Sequence, residues 1–146
     1  MKKTLLFEAA GTIEAPVERV ERLMLAVRPG PVGPDNAWLM SQTGGAIEGG
    51  PERFTLRRAG HAMTVEVVGQ TFAMQGGWWY RGEYTVEPHP AGTLLTHRVF
   101  NVASRGRWGV PLANRFFIGF AKNSRDGFAA GLQLIGKELG CSTRLL

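Results

Sequence analysis

Hydrophobic positions along this chain follow a period of two residues first and a period near 3.6 at the end. From Thr4 to Ile13, Phe7, Ala9, Gly11 and Ile13 alternate with Glu8, Ala10 and Thr12, which predicts a half-buried strand. Ala15-Pro16 ends that strand. Pro16 suits the first turn of a helix, and Glu18 is placed to oppose the positive end of its dipole. Val17, Val20, Leu23 and Met24 supply the apolar face of this helix, and the proline- and glycine-rich segment Arg28 to Pro34 breaks it. Asp35 is expected to cap a short helix through Trp38 and Met40, and Ala46-Ile47-Glu48 reads as a strand ended by Gly49-Gly50-Pro51.

The middle of the chain returns to period two. Arg53 to Arg58 turns Phe54 and Leu56 inward, and Met63, Val65 and Val67 answer them after a turn containing Gly60. The expected hairpin sets Phe54 opposite Val67 and Leu56 opposite Val65. Trp78 to Glu87 is the next expected strand, Pro88 to Gly92 a turn by composition, and Thr93 to Val102 the returning strand. Pairing Tyr84 with Thr96 places Trp78, Tyr80, Tyr84, Val86, Leu94, Arg98, Phe100 and Val102 on the inner face. Arg81, Glu83, Thr85, His97 and Asn101 then share the other face. A one-residue slip would exchange the faces of the second strand.

Val110 to Leu139 is helix-compatible throughout. Phe117, Phe120, Ala121, Phe128, Leu132, Ile135 and Leu139 recur at helical spacing, and a helix of this length is a rod of about 43 Å. Such a rod must bury its stripe against the preceding sheet. Gly119, Gly127 and Gly131 each cost about 1 kcal/mol relative to alanine in a helix interior, so close approach or room for something else is expected there. The element order predicts an α+β fold: a curved antiparallel sheet of five or six strands wrapped around a long C-terminal helix. One or two short helices should follow the first strand. Residues 1–146 read as a single domain.

Composition narrows the picture. At 44% hydrophobic and 20% charged residues, the chain reads as a globular protein, and no apolar run approaches the ~20 residues a membrane span needs. Glu8 interrupts the Lys2-Lys3 and Leu5-Leu6-Phe7 opening, so no signal peptide is expected. The single cysteine, Cys141, excludes an intramolecular disulfide and fits a reducing cytoplasm. The net charge of +5 is scattered, with no recognition motif beside it, so no nucleic-acid partner is expected.

Ile13-Glu14-Ala15-Pro16-Val17-Glu18-Arg19-Val20 resembles the strand, Ala-Pro and helix junction of the START-like superfamily, also called SRPBCC or the Bet v 1-like helix-grip fold. Gly92-Thr93-Leu94-Leu95-Thr96-His97-Arg98-Val99 is similar to the strand before that family's terminal helix, and the terminal helix agrees in place and length. The resemblance covers essentially the whole chain, with an unusually glycine-rich terminal helix as its departure. It implies a cavity for a hydrophobic small molecule between sheet and helix. Some members are polyketide cyclases or dehydratases, others carry lipids, quinones or hormones, and others are co-chaperone modules. Fold alone does not choose among these.

The candidate chemistry is sparse. His61, His89 and His97 lack ligand spacing, so no metal is expected, and no phosphate- or dinucleotide-binding glycine motif calls for a cofactor. Glu83 and His97 opposite each other would make either an acid/base pair or a cross-strand ion pair. Trp78, Tyr80 and Tyr84 are ligand-binding candidates or ordinary core. Phe100, Phe117, Phe120 and Phe128 would line the same cavity, with Asn123 and Ser124 as polar groups needing partners. Arg98 on an inner face would need one too. The leading expectation is a carrier of a hydrophobic small molecule. The alternative is a cyclase or dehydratase using His97, Tyr80 and Arg98, and a third reading is an interaction module presenting Trp108 and the segment Ser104 to Pro111. Oligomeric state is not legible.

Overall fold

The computed structural model describes residues 3–103 and 120–146, with side chains of the terminal helix from Lys122 onward. Its described residues form an α+β fold built on one antiparallel sheet of nine strands. In chain order these are β1 (Thr4–Ile13), helix α1 (Val17–Met24), β2 (Gly30–Pro31), a short 3-10 turn (Trp38–Met40), β3 (Ala46–Gly49), β4 (Arg53–Arg58), β5 (His61–Val68), β6 (Thr71–Gly76), β7 (Tyr80–His89), β8 (Gly92–Asn101), helix α2 (Phe120–Leu139) and β9 (Thr143–Leu145). The sheet order is β2-β3-β4-β5-β6-β7-β8-β1-β9, so the first strand closes onto the last hairpin and the chain end pairs with it.

Strand β1 behaves as its alternation predicts. Ala9 and Ile13 are buried on the helix side, while Glu8 faces away and meets Arg98. Pro16 occupies the N-cap position of α1, whose Val20 and Met24 are fully buried. Asp35 does not cap the 3-10 turn. That turn starts from Ala37 in a left-handed conformation (φ 51°), and the Asp35 carboxylate instead pairs with exposed Arg28 at 2.9 Å. Buried Asn36 organises this segment: its amide donates to the carbonyls of Arg28 (2.9 Å) and Pro31 (3.0 Å) and accepts from the Arg28 N–H (2.9 Å). These bonds satisfy backbone groups that helix and sheet leave open.

The β4–β5 hairpin pairs Phe54 with Val65 and Leu56 with Met63, two residues from the expected register. Both faces survive a shift of two, so the core is unchanged. The cause is the turn: Arg58 lies directly opposite His61, joined by Ala59 (φ 45°) and Gly60 (φ 82°), a tight two-residue connection. Strand β6 was not anticipated. It carries Phe72 and Met74 inward and follows another two-residue turn at Gly69-Gln70.

Two buried clusters share the inner face. One joins β1, α1 and β8 to α2 through Ile13, Val20, Leu95, Phe128, Leu132 and Ile135. The other packs Ile47, Phe54, Val65 and Phe72 beneath Ala37 and Met40. Each fully buried aliphatic or phenyl side chain contributes about 1.5–3 kcal/mol relative to exposure. Tyr84 and Leu39 touch both clusters.

Helix α2 spans about 30 Å over its 20 described residues. Val110 to Gly119 lies outside the described residues. Of the predicted stripe, Phe128, Leu132 and Ile135 are buried and Leu139 is half-buried. Close approach occurs at two glycines the periodicity did not single out for it. A side chain on Gly11 would collide with Leu132 Cδ1, and one on Gly136 would stand 2.8 Å from the Cys141 carbonyl. At the far end, Arg19 donates to the Leu139 carbonyl at 2.9 Å, satisfying a terminal helix acceptor.

Candidate functional site

The β7–β8 register decides which side chains can reach a cavity. Tyr84 pairs with His97 rather than Thr96, one residue from the expected alignment. Strand β7 extends to His89 and the turn tightens to Pro90-Ala91, which moves β8 by one position. Every β8 side chain therefore changes face. His97 comes inside, and Leu94, Arg98 and Phe100 go outside.

His97 is buried inside a stack. Its ring lies 4.1 Å from the Tyr84 ring at 15° and 5.9 Å from the Phe128 ring at 13°, with Phe7 edge-on at 6.2 Å. Sheet and terminal helix thus meet through three nearly parallel rings. Nδ1 lies 3.2 Å from the Glu83 carbonyl. A carbonyl only accepts, so Nδ1 carries the proton and Nε2 is left with its lone pair. Burial pushes the imidazole below its ordinary value, outweighing that backbone hydrogen bond, and keeps the ring neutral.

Tyr84 forms the floor of a cleft of about 280 Å³ between the Trp38–Gln42 segment and α2. Leu39 and Trp38 form one wall, and Gly127, Ala130, Gly131 and Leu134 form the other. A side chain on Gly127 or Gly131 would meet nothing within 4 Å, so these glycines leave room. No hydrogen-bond partner for the Tyr84 hydroxyl stands among the described residues. Burial, with a smaller contribution from nearby Tyr80, raises its pKa well above the usual phenol range and holds it as a neutral donor.

Tyr80, four residues back on the same face, opens instead onto a second cleft of about 210 Å³ with Leu56, Arg58, His61 and Met63. Burial raises its pKa also. The expected single aromatic wall is therefore split between two clefts. Trp78 lines neither: it sits in the turn before β7 and is 51% exposed.

The remaining candidates fall elsewhere. Arg98 is on the outer face, where Nε meets Glu8 at 2.6 Å. Phe100 is outside too, beneath the Lys3 ammonium at 4.4 Å. Glu83 does not face His97. Burial opposes its ionisation, but hydrogen bonds from Lys3 and Arg81, each at 2.8 Å, hold its carboxyl below the ordinary value. Arg81 also reaches Glu66 at 2.9 Å, so the outer face carries a half-sheltered ionic network. Asn123 is exposed and Ser124 half-buried, so Asn123 does not face the interior as expected. Phe117, the Phe120 side chain, Trp108 and the Ser104–Pro111 segment lie outside the described residues.

No group of three or more His, Cys, Asp or Glu among the described residues is placed to hold a metal ion. No described helix is long and apolar enough to cross a membrane. Sequence reasoning missed the wall made by Trp38, Leu39 and Gln42, because its apolar residues follow no single period. It did flag Gly127 and Gly131, whose helix-breaking cost was the usable signal. Comparison with family models, with curated proteins and with solved structures finds no match to this chain.

Proposed function

We propose that the sheet grips α2 in the manner of the START-like superfamily and that the protein binds a hydrophobic small molecule in the cleft above Tyr84. One observation carries the reading: a neutral phenol with no partner among the described residues floors a cleft between sheet and helix that is walled by Trp38, Leu39, Ala130 and Leu134, with Ser41 and Gln42 beside them. An apolar body would rest against Leu39, Ala130 and Leu134, and one ligand oxygen would accept the Tyr84 proton. His97 and Phe128 hold the Tyr84 ring in place from behind. His97 is thus a positioning residue in this reading, since it does not line the cleft.

A carrier needs no more than this. The cyclase or dehydratase reading draws on the neutral His97 with its free Nε2, a suitable base if a substrate displaced the Tyr84 ring. It loses Arg98, which faces the other side of the sheet. The carrier reading is therefore preferred.

The test uses prodan, a neutral naphthyl ketone whose fluorescence reports an apolar site. Tyr84→Phe should weaken binding about two- to tenfold, the worth of one ordinary hydrogen bond, with little change in stability. Gly131→Phe, which fills the cleft, should abolish binding. Unchanged prodan affinity in Gly131→Phe, or no binding to the parent protein, would overturn the proposal.

A further inference from the structure

The second cleft has a chemistry of its own. Its floor is buried Leu56 with Met63 and Tyr80, and its rim carries Arg58 and His61. The turn at Ala59-Gly60 sets those two residues directly opposite each other on the inner side of β4 and β5. Gly76, paired with Tyr80, keeps the space between Met63 and Tyr80 open, since a side chain there would press to 3.2 Å from Met63 Cβ. The neighbouring Arg57 faces the other way and is matched by Glu48 at 2.9 Å. Arg58 has no acidic partner among the described residues; its guanidinium makes one long contact, 3.3 Å, to the Thr43 carbonyl. A planar guanidinium with most of its donors unused, at the mouth of an apolar cleft, is the arrangement that receives a carboxylate.

We propose that this cleft is a second binding site, for a small amphipathic carboxylic acid whose apolar body enters between Met63 and Tyr80 while its carboxylate pairs with Arg58 beside His61. The cleft shares no lining residue with the Tyr84 cleft, so the two sites stand or fall separately. Its volume suits a flat bicyclic or short aliphatic body, not a long chain.

Isothermal titration with naphthoate and with uncharged naphthylmethanol tests it. The two probes share the same rings and differ in charge. The parent protein should prefer naphthoate, and Arg58→Leu should lower naphthoate affinity about three- to tenfold while leaving naphthylmethanol within about twofold. Arg58→Lys should recover only part of the loss, because an ammonium keeps the charge but not the paired donors. Gly131→Phe, which closes the Tyr84 cleft, should leave naphthoate binding intact. The proposal is overturned if Arg58→Leu leaves the preference for the acid unchanged, or if the parent protein shows no preference. It also falls if Gly131→Phe abolishes naphthoate binding, an outcome that would place the acid in the Tyr84 cleft instead.

Discussion

Three glycines within α2 carry the same intrinsic penalty and should respond to alanine in opposite directions. Alanine is favoured over glycine by about 0.8–1.0 kcal/mol in a helix interior, whatever surrounds it. At Gly127 and Gly131 a new methyl group meets nothing within 4 Å, so the full gain should appear. At Gly136 the methyl carbon would stand 2.8 Å from the Cys141 carbonyl oxygen and 3.0 Å from Thr143 Cγ2. The first neighbour is backbone, held by the turn that leads α2 into β9, where Cys141 N–H donates to the Gly136 carbonyl at 2.9 Å. Relieving that overlap should cost about 1–3 kcal/mol, which cancels or exceeds the helical gain.

For a chain of 146 residues, 1 kcal/mol moves the thermal midpoint by about 2–4 °C. Gly127→Ala and Gly131→Ala should each raise Tm by about that much, and the pair should be nearly additive. Gly136→Ala should leave Tm level or lower it. Circular-dichroism melts with matching urea titrations would read both effects, and an unchanged m-value would keep the comparison on stability. A fall in Tm for either of the first two, or a clear rise for Gly136→Ala, would mean that α2 is not placed against β9 and the cleft as described. The outcome also bears on function. A residue whose replacement stabilises the fold is retained at some cost, and the space it leaves is part of the Tyr84 cleft.

Two further outcomes follow from backbone strain and from burial. Ala59 sits at φ 45°, a conformation costing a side chain with Cβ roughly 1 kcal/mol, so Ala59→Asn should stabilise by up to that amount in urea titration. His97 is held below its ordinary value of 6.5, so the unfolded chain binds its proton first as pH falls. The stability it contributes is complete above about pH 6.5 and is lost as pH drops through the lower native value. Melts from about pH 7 to about pH 5 should therefore show a steeper loss in the parent than in His97→Phe, and identical slopes would refute the neutral buried ring.

The α+β class, the first strand, the Ala-Pro entry to α1 and the apolar stripe at Phe128, Leu132 and Ile135 were all legible because each is a local period. Local rules also set the turn chemistry, yet two turns were misjudged. Both the Ala59-Gly60 and Pro90-Ala91 connections are tighter than their composition indicated. Strand β6 carried a readable alternation at Phe72 and Met74. It lay between two glycine turns and was short enough to pass for a loop. Asn36 could not be anticipated: its value lies in three backbone groups that only the folded loop brings together.

The site was less legible than the fold for a reason that follows from the geometry of pleated strands. In β4–β5 the register error was two residues, and Phe54, Leu56, Val65 and Met63 stayed in the core. In β7–β8 it was one residue, and the consequence was complete: His97 moved from the solvent face to the centre of the interface, while Arg98 and Phe100 left it. Hydrophobicity could not arbitrate, because β8 places apolar residues on both faces, with Leu95 and Val99 inside and Phe100 sheltered outside by Lys3. Phe100 is buried on the outer face, where the Lys3 ammonium lies over its ring, a contact that no short-range pattern encodes. What fixed the register was the turn. A two-residue turn between paired His89 and Gly92, in place of a three-residue one between Pro88 and Gly92, decides that a histidine, not a threonine, stacks on Tyr84, and with it which side chain steadies the floor of the cleft.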